Sequence, residues 1–140
     1  PAEVSSNQVA LSEGPEHEVK MLNSGADGIM VFEPAVIKIS KGDTVNFRAV
    51  DMSHNSASLD GMIPAGAESW NGALSQDISI TFTEEGVYVY QCTPHAMMAM
   101  VGVIQVGEAI NLDTVKAEAS QKKSIFVSNT DRLDEYLSRL

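Results

Sequence analysis

What most limits the fold of this chain is a series of short stretches in which apolar and polar residues alternate, each cut off by Gly, Asn, Asp or Pro. A two-residue period places alternate side chains on one face of a strand, and the stretches are too brief for helices. EVKML aligns Val19 and Met21 and stops at the turn cluster NSGADG; Ile29 to Phe32 stops at Glu33-Pro34. AVIKIS aligns Ala35, Ile37 and Ile39, KGDT turns the chain, and VNFRAV aligns Val45, Phe47 and Ala49. DISITFT repeats the pattern with Ile78, Ile80 and Phe82. After EEG, VYVYQC runs up to Cys92, and MVGVIQVG is a nearly continuous apolar strand. Six or seven such strands joined by turns predict a mainly β fold, a sandwich or barrel.

The last third changes period. NLDTVKAEA opens with Asn111 as a cap and spaces Leu112 and Val115 three apart. TDRLDEYLSRL sets Leu133, Tyr136, Leu137 and Leu140 on one helical face, with Asn129 or Thr130 as cap. SIFVS between them reads equally as a loop with buried side chains or as a short strand. Residues 51–77, with Gly, Pro, Ser and Asn throughout, read as irregular loop. Residues 1–16, polar and acidic with a Gly14-Pro15 break, read as a flexible tail. One domain over 17–140 is therefore expected, with a β-sandwich over 17–108 and a helical extension over 109–140. A chain of 140 residues suffices for one core.

A formal net charge of −10 leaves nothing to neutralise a run of phosphates, which argues against nucleic acid and against anionic membrane surfaces. No apolar run approaches the roughly 18 residues that span a bilayer. The acid excess favours partners with cationic surfaces. The single cysteine, Cys92, cannot form an internal disulfide.

That cysteine stands in QCTPHAMMAM, residues 91–100, with His95 three positions on and Met97, Met98 and Met100 behind it. Singly, each has an ordinary reading. A strand-end cysteine is usually a small buried hydrophobe, methionines usually fill cores, and His17, at the edge of the tail, reads as a surface histidine without a role. Together they offer thiolate, imidazole and thioether donors. Soft sulfur with imidazole favours copper, and two histidines and a cysteine with a weak axial methionine form the blue-copper arrangement. A short loop between strands folds Cys92, His95 and a methionine about one ion; the fourth donor comes from elsewhere, His54 in DMSHNS or His17. Two other readings use the same residues. One is a module that stores or delivers copper. The other is a Cys-His hydrolase with Cys92 as nucleophile, for which only Asn55 offers an orienting group.

Beyond this loop, EVKMLNSG, MVFEPAVIKISKGDTVNF, SHN, GMIPAGAE, TFTEEGVYVYQCTPH and MVGVIQVG resemble the pseudoazurins, a family of cupredoxins, over residues 17–108. The C-terminal segments resemble that family's helical tail more loosely, with an insertion near SIFVS. The resemblance implies a cupredoxin-type Greek-key β-sandwich or barrel with two C-terminal α-helices. It implies one type 1 copper ion and single-electron transfer by Cu(I)/Cu(II) cycling, without enzymatic catalysis. Carried over by motif, it implies His54, Cys92, His95 and Met100 as ligands, with Met98 the nearest rival for the axial place. Asn55 would pin the His54 loop to the cysteine loop.

The same resemblance implies a periplasmic monomer, not inserted in a membrane, that exchanges electrons through the His95 edge. Pro94, Ala96, Met97 and Met98 would form an apolar collar there, with Met30 and Pro34 adjoining. Its partners would be redox proteins, a cytochrome c or a copper nitrite reductase-like acceptor. The family carries lysines around the copper mouth. Here Gln91 precedes the cysteine and Ser24, Met52 and Asn71 occupy the neighbouring positions, so a partner with a basic docking face is expected. Ala96, Met97 and Ala99 stand where that family has aromatic and glycine residues, which predicts backbone strain at Met97.

Overall fold

A computed structural model describes residues 8–140. In chain order the strands are β1 (Glu16–Gly25), β2 (Gly28–Glu33), β3 (Val36–Ile39), β4 (Thr44–Arg48), β5 (Ala57–Ser58), β6 (Ile78–Thr81), β7 (Gly86–Gln91) and β8 (Val101–Val106). Helices α1 (Leu112–Lys122) and α2 (Arg132–Leu137) follow, and 3-10 stretches occupy Thr93–Met98 and Lys123–Ile125. The strands make two four-stranded sheets, β2-β1-β4-β6 and β3-β8-β7-β5. β1 runs parallel to β4 and β3 parallel to β8; the remaining pairs are antiparallel. This is the cupredoxin-type sandwich with its C-terminal helices.

Burial explains the two kinds of strand pattern. In the first half of β1, His17, Val19 and Met21 are buried and Glu16, Glu18 and Lys20 are exposed, because one face meets the core and the other meets water. β8 is buried at all six positions. Its Ile104 and Val106 join Phe32, Phe47, Trp70, Tyr90 and Cys92 between the sheets. Val101 and Val103 face outward, beneath Val115, Phe126, Leu133 and Tyr136 of the helical extension. The extension is therefore the lid of a second apolar layer, and each of its fully buried side chains contributes about 1.5–3 kcal/mol. Gly102 of β8 lies against the Tyr90 ring, which occupies the space a Cβ would need.

Several expectations change. Residues 51–77 are not wholly irregular: β5 pairs with β7 through Ala57 and Ser58, a strand of two residues that can show no period. Asn111 makes no side-chain cap on α1. Its Oδ1 accepts from Val87 N at 2.6 Å and its Nδ2 donates to Val87 O at 3.0 Å, where β5 is too short to pair with β7. Neither Asn129 nor Thr130 caps α2, whose flanking residue is Asp131. SIFVS is neither a strand nor wholly a loop: Ser124 and Ile125 end the second 3-10 stretch, and a loop with Phe126 buried follows. Of the tail expected over 1–16, residues 1–7 lie outside the described residues. The next ones run along the domain: Val9 N donates to Arg139 O at 2.8 Å, Leu11 pairs with Lys38, and Glu16 opens β1. No helix among the described residues is long and apolar enough to cross a membrane.

Candidate metal centre

The site grows from the ends of two paired strands. Cys92 follows β7 and Met100 precedes β8, and Cys92 N donates to Met100 O at 2.9 Å. The residues between them must reverse direction in a short span. Thr93 and Pro94 open a 3-10 stretch, and His95 N to Cys92 O (3.1 Å), Ala99 N to Ala96 O (3.1 Å) and Met100 N to His95 O (3.3 Å) close it. The left-handed residue that completes the reversal is Ala99 (φ 56°), so the backbone strain expected at Met97 falls two residues later. Non-glycine residues enter that region only when their surroundings impose it.

His54, in the loop after β4, is fully buried. Its Nε2 is 2.8 Å from the Asn23 carboxamide oxygen. That oxygen can only accept, so Nε2 carries the proton and Nδ1 keeps a lone pair. Nδ1 lies 3.6 Å from Cys92 Sγ, and His95 Nδ1 lies 3.3 Å from the same sulfur. The two rings stand 4.9 Å apart, tilted by 55°. Asn55 ties the two loops together: its Oδ1 accepts from Thr93 N at 2.7 Å, and its Nδ2 donates to Thr93 Oγ1 at 3.2 Å and to Gly72 O at 3.0 Å.

Burial pushes the Cys92 thiol up, against the main-chain N–H groups of Asn55 and His95 that favour the thiolate. Burial, then the neighbouring His95, hold His54 below the ordinary imidazole range, with Asp51 opposing. The site without a cation thus favours neutral groups, and a bound cation would expel the thiol proton while keeping the imidazole neutral.

The donors fit a first-row metal ion. The three donor atoms of His54, Cys92 and His95 all lie within 4.8 Å of one another. Bonds of about 2.3 Å to sulfur and about 2.05 Å to nitrogen, at tetrahedral to trigonal angles, separate S and N by roughly 3.6–3.8 Å. The observed 3.3 and 3.6 Å lie within a few tenths of that range. Of the methionines, Met100 is fully buried in the same cluster as Cys92, Met98 is half-buried, and Met97 is 59% exposed.

The other candidates resolve differently. His17 is not on the surface: it is buried, with Nδ1 2.8 Å from Ser12 Oγ and Nε2 2.8 Å from Asp43 Oδ2. Both nitrogens are engaged, far from the sulfur. The parity it shares with Val19 and Met21 is the signal that could have placed it inward. Asn23 carries no sequence signal beyond its place in a turn cluster. The hydrolase reading loses the orienting group assigned to it: the Asn55 carboxamide contacts Thr93 and Gly72 and no imidazole, and the carboxamide that holds His54 is that of Asn23.

The pattern of the copper binding proteins of the plastocyanin/azurin family matches residues 19–107. The pseudoazurin of Paracoccus pantotrophus is 42% identical over 125 residues, covering 89% of this chain and 83% of that protein. The crystal structure of pseudoazurin from Methylobacterium extorquens superposes with a TM-score of 0.78 at 37% identity, covering 89% and 98% of the two chains. A Sinorhizobium pseudoazurin structure gives 0.71 at 47% identity, covering 79% and 93%. With this fold, this donor set and these relatives, the chain belongs to the pseudoazurins, blue copper electron-transfer proteins of the plastocyanin/azurin family, which carry electrons on one copper ion and are not enzymes.

Proposed function

We propose that His54 Nδ1, Cys92 Sγ and His95 Nδ1 hold the copper ion, that Met100 supplies the axial sulfur, and that electrons cross at the His95 edge. The observation that carries this reading is the convergence of two imidazole nitrogens on one buried sulfur, with Asn23 already occupying the far nitrogen of His54. The bound metal supplies a one-electron couple between Cu(I) and Cu(II). The residues supply rigidity. Cys92 and Met100 are locked by a main-chain hydrogen bond at the mouths of paired strands, and Asn55 holds the His54 loop to Thr93. Donors fixed in this way rearrange little when the charge on the site changes. The burial of Met100, against the half-exposed Met98, supports the former as the axial donor.

His95 is the ligand that reaches the surface, half-buried where His54 and Cys92 are buried. Of the residues the family resemblance puts about that edge, Met97, Pro94 and Pro34 are exposed, Met98 and Met30 are partly so, and Met52 is 68% exposed. A small apolar contact of this kind suits brief redox encounters, and methionines repack against more than one partner. With a net charge of −10 and Gln91, Ser24, Met52 and Asn71 around the mouth, the favoured partner has a basic docking face, a cytochrome c before a copper nitrite reductase-like acceptor. The chain works as a monomer in the periplasm. Replacing Met100 with Gln should alter the visible spectrum, and replacing Met98 with Gln should leave it unchanged; the reverse would move the axial role to Met98. For a basic partner the association rate falls as salt is added; a rate that rises with salt would contradict it. A storage module would release copper quickly to a chelator, and this site should release it slowly.

A further inference from the structure

Three successive carbonyls of the ligand loop are held by the segment that joins the two C-terminal helices and by the first residue of the second helix. Val127 N donates to Met97 O at 2.8 Å, Asn129 Nδ2 to Met98 O at 3.2 Å, and Arg132 Nη1 to Ala99 O at 3.3 Å. Ala99 is the left-handed residue immediately before Met100. The same guanidinium, on a residue only 8% exposed, donates to Met30 O at 2.9 Å, Ile29 O at 3.1 Å and Asp27 O at 3.3 Å. Arg132 therefore spans from the β1–β2 hairpin to the last residue of the loop. All four acceptors are main-chain carbonyls, and among the described residues it forms no ion pair.

A planar fork of donors fixes the direction of each acceptor, which a flexible ammonium does not. Two of those acceptors belong to the left-handed residues Met30 (φ 51°) and Ala99 (φ 56°). Such conformations persist only where neighbours over-determine them. The segment itself is anchored on both sides, by Phe126 (6% exposed) and Leu133 (1%) in the outer apolar layer. Between its two anchored ends, at Cys92–Met100 and at Thr93, the loop has only a few 3-10 hydrogen bonds of its own around an exposed Met97.

We propose that residues 127–132 form a three-point clasp on the ligand loop, with Arg132 as its principal positioning residue, and that this clasp holds Ala99 and so sets Met100 against Cys92. The helical extension then does more than cover β8. It supplies, from far along the chain, the rigidity that the copper loop lacks. The proposal rests on the assignment of Met100 as a ligand for its consequence at the metal, but the clasp itself can be read without metal.

The test is amide hydrogen exchange in the metal-free protein, with Arg132→Lys, Arg132→Gln and Asn129→Ala compared against the unsubstituted chain. Arg132→Lys keeps the charge and loses the fork. Exchange at the Ala99 and Met100 amides should rise at least about tenfold in both Arg132 variants, and by less in Asn129→Ala. Val45 and Phe47 in the core should be unaffected. In the copper-loaded variants, the balance of the visible absorption bands should shift and loss of copper to a chelator should quicken. Unchanged exchange at residues 96–100 would overturn the clasp. So would full protection in Arg132→Lys alongside its loss in Arg132→Gln, since charge and not the fork would then be the cause. If the Arg132 variants do not fold, the exposed Asn129 decides: Asn129→Ala must loosen Met98 to Met100, or the proposal fails. A loaded protein without blue colour would sink the ligand assignment and leave the exchange result standing.

Discussion

His17 and His54 are both buried at the ends of the β1-β4 pair, and only one of them faces a place for metal. His17 sits at the start of β1; Asn23, which holds His54, lies six residues further along it, about 20 Å away at strand rise. At the first end, Ser12 and Asp43 take both ring nitrogens, and the imidazole is a finished structural part. At the second, Asn23 takes one nitrogen and the other is aimed at a thiol that a second imidazole also faces. Burial and residue type are shared. Metal competence lies in the lone pair left over and in the soft donor opposite it.

The largest effect expected from breaking this contrast is at His54. Replacing it with Gln should weaken copper binding by more than about 100-fold, beyond the usual loss from disturbing a ligand's outer partner. His17→Leu should leave copper stoichiometry and colour intact; titration followed by absorbance reads both. Next comes Asn23→Ala, which frees His54 to turn. It should lower copper affinity by about 10–100-fold and, by leaving the buried His54 Nε2–H without its acceptor, cost the metal-free fold about 1–3 kcal/mol.

His17→Leu acts on the fold instead. It leaves the Asp43 carboxylate without its main partner and should cost about 1–3 kcal/mol in denaturant titrations. That difference should depend on pH. The hydrogen bond from His17, aided by Ser40 N–H and outweighing burial, holds Asp43 below its ordinary 3.8. A carboxyl whose folded value is depressed contributes in full above its unfolded value and loses that contribution as pH falls through the folded one. The gap between the original chain and His17→Leu should therefore narrow below about pH 4; a gap that widens there would contradict the Asp43 assignment. The smallest effect belongs to Met98→Glu, which should slow electron exchange with a partner several-fold, because a carboxylate at the contact must shed water. Its copper spectrum should not change.

Much of this contrast was legible in the sequence, and what was not depended on distance along the chain. Alternation in EVKML, AVIKIS and DISITFT located strands, and the unbroken apolar run of MVGVIQVG corresponds to the strand buried on both faces. The thiol, imidazole and methionines of residues 92–100 announced their chemistry because they are neighbours in sequence. His54 came only through the SHN motif, since nothing local links it to a cysteine 38 residues away. β5 stayed hidden because two residues carry no period. Asn111 reads as a cap in the sequence because the Val87 backbone it completes is 24 residues distant. The role of 127–132 lies in hydrogen bonds to a loop some 30 residues earlier, which no local pattern records.

The most direct measurement is the visible absorption spectrum of the protein after loading with one equivalent of copper and oxidation. The account predicts an intense blue thiolate-to-copper band that is absent from Cys92→Ala and retained in His17→Leu. A colourless oxidised protein, or a Cys92→Ala variant of unchanged colour, would contradict it.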